Sequence, residues 1–194
     1  MSPRKRASEE LTKEMILKEA QTQFEKKDFQ NVSMRNIAKQ LGCSHGAIYY
    51  HFKNKAELFY MIIEEHFSKL NALLDETAEG SENDETKLKN VFLRFIEFGL
   101  NHQSQYELMF MLRNKEVDSL SQQAANESYQ KFAQAVQSLS SNQLTVADIW
   151  SIFIALHGFV SYYRGFVSHF EEAEAAAISH VNFIVSGVKS KPKL

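Results

Sequence analysis

The sequence predicts an all-α protein in two parts: a small N-terminal three-helix domain with a helix-turn-helix, and a larger helical domain behind it. Three observations carry this. The chain has 194 residues but only two prolines, Pro3 and Pro192, one near each end. It has seven glycines, too few turn residues for a β-rich chain of this length. Apolar residues recur every three or four positions through most of the chain, the period of a helix with one buried face.

The elements follow in order. Leu11, Met15/Ile16, Ala20 and Phe24 give a first helix from about Glu9 to Lys27. Asp28-Phe29-Gln30-Asn31 breaks it. Ser33 is a good N-cap for a second helix with an inner face of Met34, Ile37, Ala38 and Leu41. Gly42 follows at once, as expected where a helix ends in a left-handed residue. Ser44 can cap a third helix running through Phe52, with Ile48 and Phe52 on its core face. Asn54 starts a fourth, with Glu57 in a box-like position, continuing through Leu58, Ile62, Leu70 and Leu74. The polar run Gly80 to Asp84 is the best internal linker.

Beyond it, Leu88, Val91/Phe92, Phe95 and Gly99 line a fifth helix. Ser104-x-x-Glu107 is expected to act as a capping box for the apolar run YELMFML. A more polar helix from about Asp118 to Leu139 follows. Thr145 to Asp148 caps a long apolar helix reaching about Ser168, and a last helix runs from about Glu171 to Gly187. The expected division is a helix-turn-helix domain at 8–53, a connecting helix at 54–79, and a C-terminal domain at 80–190.

Composition narrows the function classes. Hydrophobic residues are 44% and charged residues 24%, ordinary globular values. One cysteine, Cys43, allows no intrachain disulfide, and no apolar stretch follows the basic residues near Met1. A reducing cytoplasm is the expected location. The formal charge of −2 hides an asymmetry. Residues 1–60 hold 11 Lys/Arg against 7 Asp/Glu, and residues 61–194 hold 11 against 17. A basic front on an acidic body suits a polyanionic partner.

The segment MRNIAKQLGCSHGAIYYHF, residues 34–52, carries the chemistry. Two short helices around a glycine corner form a helix-turn-helix, whose second helix can enter the major groove of duplex DNA. Groove insertion needs small residues in front and phosphate-reaching residues on the flanks. Gly46 and Ala47 allow close approach, and Ser44 and His45 can hydrogen-bond to bases or phosphates. Tyr49, Tyr50, His51, Lys53 and Lys55 form the flank. The opening of the second helix, Ser33, Met34 and Arg35, completes the expected DNA-binding set. Gly46 costs the helix up to about 1 kcal/mol relative to Ala, which a purely structural helix has little reason to accept.

On these residues the run from Ile16 to Leu58 resembles the DNA-binding domain of the TetR family of bacterial repressors. The resemblance rests on a small hydroxyl residue opening the second helix (Ser33), Ile37-Ala38 within it, Gly42 at the turn, Tyr49-Tyr50-His51-Phe52 closing the recognition helix, and Lys55 beyond. Asp28 departs from it, standing where glycine is usual. So does Cys43, usually aliphatic, which is expected to fill the small core, with a redox-sensing thiol as the alternative. The resemblance implies a homodimer on a palindromic operator, with a small-molecule pocket in the variable C-terminal helices. HQSQYELMF and the Leu156–Phe159 LHGF also resemble a subgroup whose regulatory domain carries a His-Gly pair.

The C-terminal body is rich in aromatics. Phe92, Phe95, Tyr106, Phe110, Phe153, His157 and Tyr162 are the candidate lining of a largely apolar effector site, with His157 as its polar handle. The helix at 146–167 is apolar around more than one face. Asp148, His157 and Arg164 argue against a membrane span, so it is expected to pack within the chain on one side and against a partner on the other. No enzyme, cofactor or metal is expected. There is no phosphate-cradling glycine loop, and EEHF at Glu64–Phe67 lacks the second histidine of a zinc motif. The expected function is a ligand-responsive repressor. The alternatives are a DNA-binding protein without an effector, or an adaptor whose helix-turn-helix contacts protein.

Overall fold

A computed structural model of the chain describes residues 11–27, 29–112, 118–141 and 144–190. Among the described residues the chain is helical and has no β-strand, as its composition predicts, with one isolated β-bridge between Arg164 and Val167. Asp28, expected in a strained turn, lies outside the described residues.

The N-terminal domain has three helices: α1 (Lys13–Phe24), α2 (Met34–Gln40) and α3 (His45–His51). Each opens on a hydroxyl cap. The side chains of Thr12, Ser33 and Ser44 accept from the amides of Met15, Asn36 and Ala47 at 3.2 Å. Gly42 ends α2 at φ +65, the left-handed conformation. The Cys43 amide donates to Ala38 O (3.0 Å) and the Gly42 amide to Lys39 O (3.3 Å), the paired bonds of a Schellman ending. The sequence already required this corner.

The connecting helix α4 (Lys55–Ala78) is capped by Asn54, which accepts from the Glu57 amide at 2.8 Å. The Glu57 carboxylate reaches back to the Lys53 amide at 2.6 Å, one residue beyond a standard box. Phe59 of α4 meets Phe24 and Phe29 edge-on at 5.0 and 5.1 Å, fastening the N-terminal domain to the helix. Farther along, Phe67 meets Phe110 at 5.3 Å. One helix thus contributes to both cores.

The body comprises α5 (Asp84–Asn101), α6 (Gln103–Phe110), α7 (Asp118–Leu139), α8 (Val146–Tyr163) and α9 (Glu174–Lys189). α5 is central and packs against α4, α7, α8 and α9. Its closest approach is at Gly99, where an added Cβ would lie 2.6 Å from Val160 Cγ1. α8 opens on a full capping box between Thr145 and Asp148, as expected.

Two expectations are corrected here. No Ser104–Glu107 capping box forms: α6 begins two residues earlier, behind His102, without a side-chain cap. Glu107 instead pairs with Arg164 of the α8–α9 connection. Gln103 bonds the same connection, donating to Val167 O at 2.8 Å and accepting from the Gly165 amide at 3.1 Å. These bonds also explain why α8 stops at Tyr163 and not near Ser168. The chain turns at Gly165, φ +84, and is tied down on α6.

α8 is long and apolar enough to cross a bilayer by length and composition, with a mean hydropathy of 1.3. Its apolar surface is divided. Ile149, Ile152, Leu156, Phe159 and Val160 are buried within the chain. Val146, Trp150, Ile154 and Tyr162 lie exposed at four- or eight-residue intervals along another face.

Candidate nucleic-acid interface

The recognition helix is built for contact at its front. Ile48 and Phe52 are buried and hold α3 against the domain core. Ser44 and His45 stand exposed at its N-terminal end, and a Cβ at Gly46 would meet nothing closer than 3.9 Å. Tyr50 is 88% exposed and Tyr49 46%, so both are on offer to a partner. His45 meets Tyr49 edge-on at 4.8 Å, and His51 meets Tyr50 at 5.2 Å. Each imidazole is held beside a phenol at its own end of the helix. Arg35 and Lys53 are exposed, and Ala47 and His51 half-buried.

Two residues of the expected set are placed otherwise. Met34 is 5% exposed and belongs to the α2 core face, so it cannot reach a groove. Its position just after the cap suggested contact, but the helix turns it inward with Ile37 and Ala38. Lys55 is half-buried: its ammonium donates to Phe29 O at 2.8 Å and lies 4.1 Å above the Phe29 ring. It clasps the start of α4 to the turn after α1. Nothing in the local sequence links positions 26 residues apart. Ser33 remains at the surface, but its oxygen is engaged in capping α2.

The electrostatics of the domain are uneven. Among the described residues Lys13, Lys18, Lys26, Lys27, Arg35, Lys39, Lys53 and Lys55 form no ion pair, whereas every described Lys and Arg of the body does. Three of the domain's acids are occupied by neutral donors. Glu19 accepts from Gln23, Glu25 from Gln21 and Glu57 from the Lys53 amide. The positive charge of this domain is left for an external anion.

The candidate effector residues are brought together, but tightly. Phe95, Tyr106, Phe110, Phe153 and His157 pack with ring centroids 4.6 to 6.2 Å apart. Phe92 joins through Phe132. Tyr106 is fully buried; its hydroxyl lies 2.7 Å from His157 Nδ1, and burial raises its pKa well above the usual phenol value. Clefts of about 220 to 520 Å³ on the described surface are lined by other residues, such as those between α4 and α5 and between α8 and α9. Tyr162 is not part of the cluster. It is 68% exposed on the outer stripe of α8 and stacks on Phe166 at 5.7 Å, because it stands two four-residue steps beyond Ile154 and so faces outward.

Sequence reading missed His66. It lies fully buried on α4 with neither ring nitrogen hydrogen-bonded, and burial, with Lys69 nearby, lowers its pKa from 6.5 to about 4. Its place among the buried arc of Ile62, Ile63 and Leu70 was the available signal.

The sequence pattern of the bacterial regulatory proteins of the tetR family matches residues 16–60. HTH-type transcriptional regulators from strains of Staphylococcus aureus are 44% identical over 41 residues, a stretch spanning 21% of this chain and only 22% of each relative. Among solved structures, the TetR-family regulator PfmR of Thermus thermophilus is 18% identical and superimposes with a TM-score of 0.67, covering 91% of this chain and 96% of that one. The fatty acid degradation regulator FadR of Bacillus halodurans is 13% identical with a TM-score of 0.71, covering 94% and 96%. These are transcriptional regulators, not enzymes. Over its helix-turn-helix, residues 16–60, the chain is similar to the bacterial regulatory proteins of the tetR family, and it shares the fold of such regulators over most of its length.

Proposed function

We propose that this chain is a cytoplasmic, dimeric repressor that binds a palindromic operator through α3 and is released by a small, largely apolar effector. The observation that carries the DNA half is the unpaired charge of the N-terminal domain beside a capped, glycine-fronted α3. Helix termini, tyrosine hydroxyls and lysines are the usual donors to phosphate oxygens. Ser44, His45, Gly46 and Ala47 face the bases; Tyr49, Tyr50, His51, Arg35 and Lys53 take the backbone. The working division is the DNA-binding part at 8–53, the connecting helix at 54–79 and the regulatory part at 80–190.

The dimer reading is supported by the exposed stripe of Val146, Trp150, Ile154 and Tyr162 on α8, together with Ile178 and Phe183 on α9. Isolated exposed apolar side chains are ordinary, but a row of them along α8, with more on α9, marks an interface. Two recognition helices on a two-fold dimer, one DNA turn or a multiple apart, match a palindromic site. The effector releases DNA by binding more tightly to a body conformation with the wrong spacing, and only to the extent of that difference in affinity. α4 is the lever, since it shares in both cores.

A second reading, a regulator without an effector, is favoured by one observation: the rings of the aromatic cluster are packed against one another, with Tyr106 fully buried among them. Effector binding therefore requires the cluster to part. Fluorescence anisotropy on operator fragments, repeated with an apolar compound library, tests both. Binding that is sequence-specific and reversed by a saturable compound supports the first reading. Specific binding that no compound weakens, with no thermal stabilisation by any of them, supports the second. The repressor reading fails if the protein shows no sequence preference at all.

A further inference from the structure

We propose that the groove between α1 and α2 is a second contact surface for the DNA backbone, independent of sequence and set beside the helix-turn-helix. This rests on the DNA-binding reading above and extends it to residues outside α3. The groove measures about 520 Å³. Lys26 and Lys27 line it from the end of α1, and Lys39 from α2. None of the three has a carboxylate partner, although Glu19 lies in the same groove. Glu19 accepts instead from the Gln23 amide at 2.8 Å. Gln23 itself is buried, and its Oε1 has no hydrogen-bond partner.

Three ammonium groups sharing one groove repel one another. A chain of phosphates relieves that repulsion and releases its own condensed counterions, which is the main source of sequence-independent affinity for DNA. Continuity favours a backbone over a free anion. Asn36 and Lys39 share the solvent side of α2 with Arg35, just beyond the capped N-terminus assigned to phosphate contact. Lys39 of α2 lines the same groove as Lys26 and Lys27 at the end of α1. The simpler role for Lys26 and Lys27 is to offset the partial negative charge at the C-terminal end of α1. That role makes no demand on DNA.

The probe is a fluorescein-labelled 30-base-pair duplex of arbitrary sequence, titrated by anisotropy between 50 and 200 mM KCl. Three proteins are compared: wild type, a groove variant (Lys26→Ala, Lys27→Ala, Lys39→Ala), and a body variant with the same charge change (Lys69→Ala, Lys87→Ala, Lys131→Ala). Each lost phosphate contact flattens the slope of log K against log salt by about 0.9. The groove variant is expected to lose about 2 to 3 from the slope for each protomer bound, while the body variant keeps the wild-type value. An unchanged slope in the groove variant overturns the proposal. So does an equal loss in both variants, which would make the effect one of net charge. A Lys→Gln version of the groove variant, with helicity checked by circular dichroism, guards against a folding defect. If wild type itself fails to bind duplex, the DNA-binding reading falls, a result distinct from either of these.

Discussion

In the body, Lys69, Lys87, Lys89, Arg94, Lys131, Arg164 and Lys189 each lie 2.5 to 3.3 Å from a carboxylate oxygen. In the N-terminal domain none of the described lysines or Arg35 does. The difference lies in how acids are spent. Body glutamates and aspartates stand at helical spacing from cations, as Glu65 does from Lys69 and Glu85 from Lys89, or meet them across helices, as Asp75 does Lys131. In the front, Glu19 and Glu25 stand at helical spacing from glutamines that donate to them, and Glu57 turns to the Lys53 amide. The body pairs its described cations internally, and the front keeps its own for a partner. The distinction is sharper than net charge, which is −2 for the whole chain.

If that contrast holds, salt should separate the two halves more than any substitution. If the proposed dimer makes about six phosphate contacts, DNA affinity is expected to fall on the order of 10³-fold between 50 and 200 mM salt. Thermal unfolding of the free protein should move only slightly over the same range, because exposed ion pairs contribute little. Anisotropy and calorimetry at matched salt check the pair. Equal sensitivity of both would break the comparison.

Acid is the next largest lever, and it acts through α4. The imidazole of His66 is neutral above pH 6.5 in both folded and unfolded chains. Below that, the unfolded chain takes up a proton that the buried ring resists until about pH 4. Stability is therefore complete above pH 6.5 and falls as pH drops toward 4, by an amount on the order of 3 kcal/mol. His66→Leu should flatten that fall in urea titrations at pH 7 and pH 4.5. A fall just as steep in the variant would assign the acid sensitivity elsewhere.

Packing in the body gives a smaller effect. Gly99→Ala drives a methyl into the stiff Val160 side chain, 2.6 Å away, and is expected to cost about 1 to 2 kcal/mol despite the better helix propensity of alanine. The midpoint of urea unfolding reads it, and DNA affinity per folded molecule should not change. A more stable variant would show that α5 and α8 have room to part.

Lys55 sharpens the comparison further, since it is a front cation with an internal job. Lys55→Ala should destabilise the N-terminal domain by about 1 kcal/mol, through loss of its bond to Phe29 O and its seat on the ring. Arg35→Ala should leave stability unchanged and weaken DNA binding. Smallest of all, Arg94→Ala or Lys131→Ala in the body should each change stability by less than about 1 kcal/mol and leave DNA binding unaffected. A body substitution that weakened DNA binding as Arg35→Ala does would erase the distinction.

Local rules are why much of the N-terminal domain was legible in the sequence. Ser33, Gly42, Ser44 and Asn54 act on amides and carbonyls within four residues of themselves, so their roles follow from spacing alone. The exposure of Tyr49 and Tyr50 follows in the same way, because Ile48 and Phe52 fix which face of α3 is buried. Lysines 26, 27 and 39 also carried a readable sign: none has an acid three or four positions away. The inward turn of Met34 was likewise available from its shared face with Ile37 and Ala38.

The sequence by itself determined an all-helical chain, the helix-turn-helix and its glycine corner, and the imbalance of charge between front and body. Tertiary structure alone decided that Lys55 grips Phe29, that Glu107 leaves its helix cap for Arg164, that Tyr162 faces out while Tyr106 is sealed in, and that the aromatic cluster is packed. The physical reason is range. Capping, helical periodicity and turn conformation depend on neighbours a few residues away. Ion-pair partners, cavities and the burial of a histidine depend on which helices meet and how closely, and those contacts join positions 26 to more than 50 residues apart.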